Sequence, residues 1–192
     1  MTGRTHDVAA FTGLVTAFIF VPQLPEMTLA TAVVAFGANF IGGLFPDIDQ
    51  PTSDFWDNFR WGPFMAKIIC PAFGGHRHFS HSLIGLVLIG GTIKLFLNLL
   101  SSIVLIDMEI VWYAFMIGMV SHFITDFLTK DGLPLLWPLK FKFGFPPFQF
   151  LRMRSGSWME SVVVFPGLLV VTGYLIFLYQ SKFLDFFHRY LK

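Results

Sequence analysis

His122 and Asp126 stand four residues apart within an apolar stretch. On a helix that spacing puts an imidazole and a carboxylate on one face, where they could share a metal ion. Taken alone, the pair reads equally well as a buried His–Asp hydrogen bond. Its company changes the balance. Asp47 and Asp49 straddle Ile48 at the end of an earlier apolar stretch, and His76, His78 and His81 lead into a third. His6 and Asp7 precede the first, and Glu160 opens the fifth. Ionisable groups in membrane segments are costly and usually functional. Imidazole and carboxylate without thiolate suit zinc, manganese or iron. Two such ions roughly 3.5–4 Å apart could bind a phosphoryl oxygen and acidify a water.

Each residue also has a plainer reading. Asp47 and Asp49 could simply form a turn. Carboxylates at a helix C-terminus are disfavoured by the dipole, however, and a cation would offset that cost. Ser80 could cap the third segment. Ser157 and Glu160 match a capping box, so Glu160 has equal claims as cap and as ligand. His6 reads as a ligand, with Asp7 as its surface neighbour, and His188, beyond the last apolar run, reads as ordinary. An Asp not fully occupied by metal, Asp49 for choice, could orient the attacking water. Arg77 and Lys130 adjoin the ligands and could hold phosphate, Arg77 bidentately. A general excess of basic residues on one face explains both slightly better.

Five apolar runs must bring these groups together: Val8 to Val21, Met27 to Phe45, Ser82 to Ile106, Ile110 to Leu128 and Val162 to Tyr179. The chain is 55% hydrophobic and 13% charged, with a mean hydropathy of +0.67. A soluble domain carries about 25% charged residues, so lipid is part of the solvent. A spanning helix needs roughly 20 apolar residues. Four runs approach that length; the first is shorter and suits a tilted, partial or protein-buried span. The expectation is an all-α, polytopic membrane helical bundle of four to five spans, one domain over residues 1–192. Antiparallel connection then places every candidate ligand at one membrane face.

The first run has a single upstream basic residue, Arg4, and no small-residue cleavage motif, unlike a signal peptide. A lone Cys70 excludes an internal disulfide framework and a cysteine-rich metal site. A net charge of +1 gives no strong field for nucleic acid. With five crossings, one face holds Arg4, Arg60, Lys67, Arg77, Lys130, Lys140, Lys142, Arg152 and Arg154, and the other Lys182, Arg189 and Lys192. The positive-inside rule makes the richer face cytoplasmic. It is also the face of the candidate ligands.

Two long loops lie there. Pro46 to Ser80 includes Pro63 to Phe73, apolar enough for a short interfacial helix. Thr129 to Met159 contains four prolines, which preclude a long helix. Its lysines alternate with Phe and Trp, a pattern suited to the headgroup region. Stacking of single-stranded nucleic acid is the weaker reading. Glycines within the apolar runs, among them Gly37, Gly42, Gly43, Gly85, Gly90, Gly91 and Gly118, suit close helix approach.

Three stretches together resemble the YdjM-like family of inner-membrane, metal-dependent hydrolases, some controlled by the repressor LexA. They are Pro46 to Asp49, His76 to Ser82, and Ser121 to Thr129 followed by Gly132 to Pro138. The resemblance runs from His6 to about Glu160. His78 departs from the pattern, which usually has a small residue there, and Ser80 stands where Thr is usual. The family is more distantly similar to zinc-dependent phospholipases C and single-strand nucleases. That similarity implies a ligand pair at His122 and Asp126, a bridging carboxylate at Asp47 or Asp49, and a late ligand at Glu160. The full set expected is His6, Asp47, Asp49, His76, His81, His122, Asp126 and Glu160, with Asp49 and Arg77 acting on substrate. It would hold two or three divalent ions, zinc before manganese or iron.

The leading functional expectation is a metal-dependent hydrolase of the inner membrane, cleaving a phospholipid or other lipid phosphate at the cytoplasmic face. The substrate partner is a membrane lipid and no nucleic acid partner is expected. A metal-stabilised structural or regulatory membrane protein is the alternative. An ion transporter fits less well, because its ligands belong near mid-bilayer on broken helices, whereas these lie near segment ends.

Overall fold

The computed structural model describes residues 1–21, 26–58, 60–73, 77–139 and 141–190. His76, Lys140 and Lys192 therefore lie outside the described residues. Among the described residues eight helices follow in order: α1 (Gly3–Phe20), α2 (Leu29–Leu44), α3 (Asp54–Asp57), α4 (Gly62–Ile69), α5 (Leu83–Leu100), α6 (Met108–Phe127), α7 (Phe165–Leu178) and α8 (Gln180–Tyr190). A 3-10 turn, Phe45–Asp49, prolongs α2, and a π-helical turn, Glu160–Val164, leads into α7.

Local chemistry sets the starts. Thr28 Oγ1 accepts from the Thr31 N–H at 3.1 Å, and Ser82 Oγ from the Gly85 N–H at 2.9 Å. Asp107 Oδ1 accepts from Glu109 and Ile110. Each acceptor satisfies amides that a first helical turn leaves orphaned. Ser82, not Ser80, therefore caps α5, because Ser80 lies two residues early and bonds elsewhere.

Leu29–Asp49, Leu83–Leu100, Met108–Phe127 and Glu160–Leu178 are long and apolar enough to cross a membrane. The first helix is not among these four. Thr5, His6, Asp7, Thr12 and Thr16 interrupt its apolar surface, and α1 packs against α2, α6 and α7. On α5, Val87, Leu95 and Leu99 are exposed, and on α7 Val170, Tyr174 and Phe177, as surfaces facing lipid would be.

In lipid, apolar burial does not drive helices together, so packing must come from close approach. The crossing of α2 and α6 provides it. A Cβ on Gly118 would sit 2.1 Å from Asn39 O, and one on Gly42 would sit 2.1 Å from Phe115 O. Asn39 Nδ2 stitches the same contact by donating to Ala114 O at 3.1 Å. Gly37 and Gly91 face open space instead, so close packing does not account for every glycine.

The apolar stretch Pro63 to Phe73 folds as α4 and a following 3-10 turn, Cys70–Phe73. It closes over a small core of Leu44, Ile48, Phe55, Trp56, Ala66 and Cys70. Among the described residues from Thr129 to Met159 the longest regular element is a 3-10 turn, Gln149–Leu151. Buried Arg152 donates to the carbonyls of Pro146 and Pro147, at 2.7 and 3.0 Å. At the far end of the bundle, Lys182 Nζ donates to Ile19 O and Val21 O, both at 2.8 Å. Phe183 stacks on Phe18 beside it.

Candidate metal centre

The ends of four elements meet at one point. His6 comes from the first turns of α1, Asp47 and Asp49 from the 3-10 turn after α2, His81 from just before α5, and His122 and Asp126 from the last turns of α6. The three imidazoles are fully buried, and Asp49 and Asp126 are 1% exposed. Asp47 is the most open, its side chain 14% exposed.

His81 Nε2 lies 3.3 Å from His122 Nε2 and 3.5 Å from Asp47 Oδ1. Asp126 Oδ2 is 3.8 Å from both of these nitrogens. His122 Nε2 is 3.7 Å from Asp47 Oδ1. The His6 ring stacks on His122 with centroids 3.7 Å apart, and its Nε2 is 3.5 Å from Asp126 Oδ1. Two groupings have ligand atoms mutually within 4.8 Å: His6, Asp47 and His122, and His81, His122 and Asp126.

The outer ring nitrogens fix the tautomers. His122 Nδ1 lies 2.7 Å from Gly43 O, which can only accept, so Nδ1 carries the proton. Thr125 Oγ1 gives its one proton to His122 O and so accepts from His6 Nδ1, at 2.9 Å. Ser80 Oγ donates to Asp49 and accepts from His81 Nδ1, at 3.0 Å. All three Nε2 atoms are then left to face inward. His6 Nε2 is buried with no hydrogen-bond partner. Metal-binding histidines are oriented by just such outer partners, and the donor set fits a divalent cation.

The carboxylates divide the work. Asp49 Oδ2 accepts from the Arg77 backbone N–H at 2.9 Å and from Ser80, and lies 3.3 Å from His81 Nδ1. It stands behind His81, outside both groupings. Asp126 instead presents Oδ1 towards His6 and Oδ2 towards His81 and His122. The amino group of Met1 also pairs with its Oδ1.

Arg77 is buried rather than turned outward to receive phosphate. Its Nη2 lies 2.7 Å from Asp126 Oδ2, and its Nη1 donates to Thr129 Oγ1 at 3.0 Å. Its φ of +58° is in the left-handed region that non-glycine residues avoid. The bonds to Asp49 and Asp126 hold it there.

Glu160 falls outside both groupings. Its Oε1 accepts from Thr2 N, Thr2 Oγ1 and Thr5 Oγ1 at 2.6–2.7 Å, and its Oε2 accepts from Gly156 N at 2.7 Å. It caps α1 from another helix. The capping box with Ser157 does not form, since Ser157 Oγ is buried without a partner. Asp7 is half-buried rather than at the surface. Lys130 and His78 are exposed, as is His188 on α8.

Sequence reasoning missed Thr125, Thr129 and the Gly43 carbonyl. The two threonines had a signal, since hydroxyls at helical spacing beside His122 and Asp126 can bond to the backbone three residues back. A carbonyl has none.

His81 precedes α5. Burial opposes its charge, but hydrogen bonds to Asp47 and Asp49 outweigh that and raise its pKa to about 9.

The family profile described as YdjM inner membrane protein matches residues 1–183 of this chain. An uncharacterized protein, YvsG of Bacillus subtilis (strain 168), is 30% identical over 178 residues, 93% of this chain and 96% of that protein. The inner membrane protein YdjM of Escherichia coli (strain K12) is 35% identical over 127 residues, 62% of this chain and 56% of that protein. YdjM of Shigella flexneri matches to the same extent. No solved structure matches this chain.

Proposed function

The chain belongs to the YdjM inner membrane protein family, and we propose that it is a metal-dependent phosphoesterase acting on a lipid phosphate. One observation carries the metal. Three imidazoles, each with its outer nitrogen engaged, turn Nε2 towards Asp47 and Asp126.

His122 Nε2 has one lone pair and can serve only one ion. We assign the first ion to His81, His122 and Asp126. His6 and Asp47 would then remain to hold a second, with Asp126 Oδ1 3.5 Å from His6 Nε2. Zinc suits the donors best, with manganese or iron next. A divalent ion there supplies Lewis acidity towards a phosphoryl oxygen and lowers the pKa of a water. Asp47, the most open carboxylate, would take up that water's proton. Asp49 and Ser80 hold His81, and Arg77 holds Asp126. The membrane setting and the loop of exposed Phe and Trp residues, among them Phe148, Phe150 and Trp158, support a lipid substrate. The basic residues at this end support a cytoplasmic site. From the zinc-dependent phospholipases C we carry over only the pairing of His122 with Asp126.

Metal assay of purified protein, with phosphate or phosphorylated headgroup release from lipid in detergent, tests this reading. Activity should vanish when metal is stripped and return when it is restored. Hydrolysis unchanged by full metal removal overturns it. The near-complete burial of the ligands favours a second reading, a metal that ties four elements together. Bound metal without any hydrolysis would select that one.

A further inference from the structure

Ile48 sits between the two aspartates of the 3-10 turn, and its side chain faces away from them. It forms one wall of a cleft of about 740 Å³ between α3 and α4. Phe55, Trp56, Trp61, Met65 and Ile69 line the rest, and Arg60 is the charged residue at the cleft. Trp61 and Phe64 are 70% and 62% exposed. An open apolar surface of this kind marks a binding site, and the volume falls within the range of about 300–1,000 Å³ typical of ligand clefts.

We infer that this cleft takes one hydrocarbon chain of a lipid whose phosphate lies at the metal centre; this rests on the proposed function. Three features select that occupant. Among the described lining residues the contact is hydrocarbon apart from Arg60 and two indole N–H groups, of which that of Trp56 already donates to Ile48 O at 3.2 Å. Arg60 carries a positive charge matched to an anionic lipid. Finally, the cleft and the centre share the Asp47–Asp49 backbone, and consecutive Cα atoms are ~3.8 Å apart. The turn that carries Asp47 is thus also a wall of the cleft.

The test uses full-length protein in detergent and phosphatidic acid with a diazirine at the end of one acyl chain. Crosslinks should concentrate on Trp61, Met65 and Ile69, and unlabelled phosphatidic acid should compete them away. Met65→Trp fills the cleft from an exposed position and should reduce this labelling at least fivefold, leaving labelling of α5 unchanged. Labelling spread evenly over α5, α7 and α4, or insensitive to competitor, overturns the inference. His122→Ala separates the two readings. Competable cleft labelling in His122→Ala protein, or in wild type that releases no phosphate, upholds the cleft even where the phosphoesterase fails.

Discussion

His81 Nε2 and His122 Nε2 lie 3.3 Å apart although 41 residues separate them in sequence. With both outer nitrogens committed, two lone pairs would confront each other across that gap. A cation between them removes the repulsion. Without metal, a proton on His81 fills that role, as its pKa of about 9 indicates. A metal ion bound there, as proposed, would have to displace that proton.

Metal binding should therefore tighten as pH rises. His81 has a folded-state pKa above its unfolded value near 6.5. Its charge stabilises the metal-free fold fully below pH 6.5, and that contribution is lost as pH rises towards 9. The metal-loaded fold needs the neutral ring. The rise in melting temperature on adding zinc should grow between pH 6.5 and 8.5. Each unit should bring up to about tenfold in apparent affinity from this one proton. An increment independent of pH would mean that His81 is not a ligand.

Asp49→Asn separates support from catalysis. If Asp49 only orients His81, metal affinity should fall about 10–100-fold, and saturating metal should restore turnover. A catalytic base would instead leave kcat about 10²–10⁴-fold down at any metal concentration.

Glu160→Gln should leave the metal content unchanged. The amide puts a donor against Thr2, Thr5 or Gly156, each of which donates to Glu160 now. Thermal unfolding should show a loss of about 1–3 kcal/mol. Loss of bound metal with unaltered unfolding would make Glu160 a ligand.

Gly118→Ala should part α2 from α6, costing about 1–3 kcal/mol as overpacking does. It should also weaken metal binding, because His122 lies one turn further along the same helix. Gly91→Ala faces open space and should resemble wild type in both measurements. Equal unfolding temperatures for the two variants would count against the tight crossing.

The convergence of the candidate ligands was legible because antiparallel helices bring alternate ends to one face. His6, Asp47, His81, His122 and Asp126 could be placed at a common depth without coordinates. Roles were less legible. Asp47 and Asp49 look equivalent in sequence, but the 3-10 turn points one into the cluster and the other behind His81. Glu160 had the candidate ligand's position along the chain, yet the start of α1 reaches it with three donors and Gly156 adds a fourth. Arg77 looked like one more loop cation until its left-handed backbone turned it inward. Each depends on local geometry or a distant partner, and neither leaves a periodic trace.

The clamp on α1 bears on the order in which the protein can mature. Glu160 grips its amino end and Lys182 its carboxyl end. Both come from the last third of the chain, and domains form in the order in which the ribosome supplies them. Of these helices the first to leave the ribosome is thus the last to be fixed lengthwise. A slip of one turn would carry His6 about 5.4 Å from its place. Translation arrested before residue 182 should leave α1 made but not anchored at both ends, so the proposed metal loading would become a late event in biogenesis.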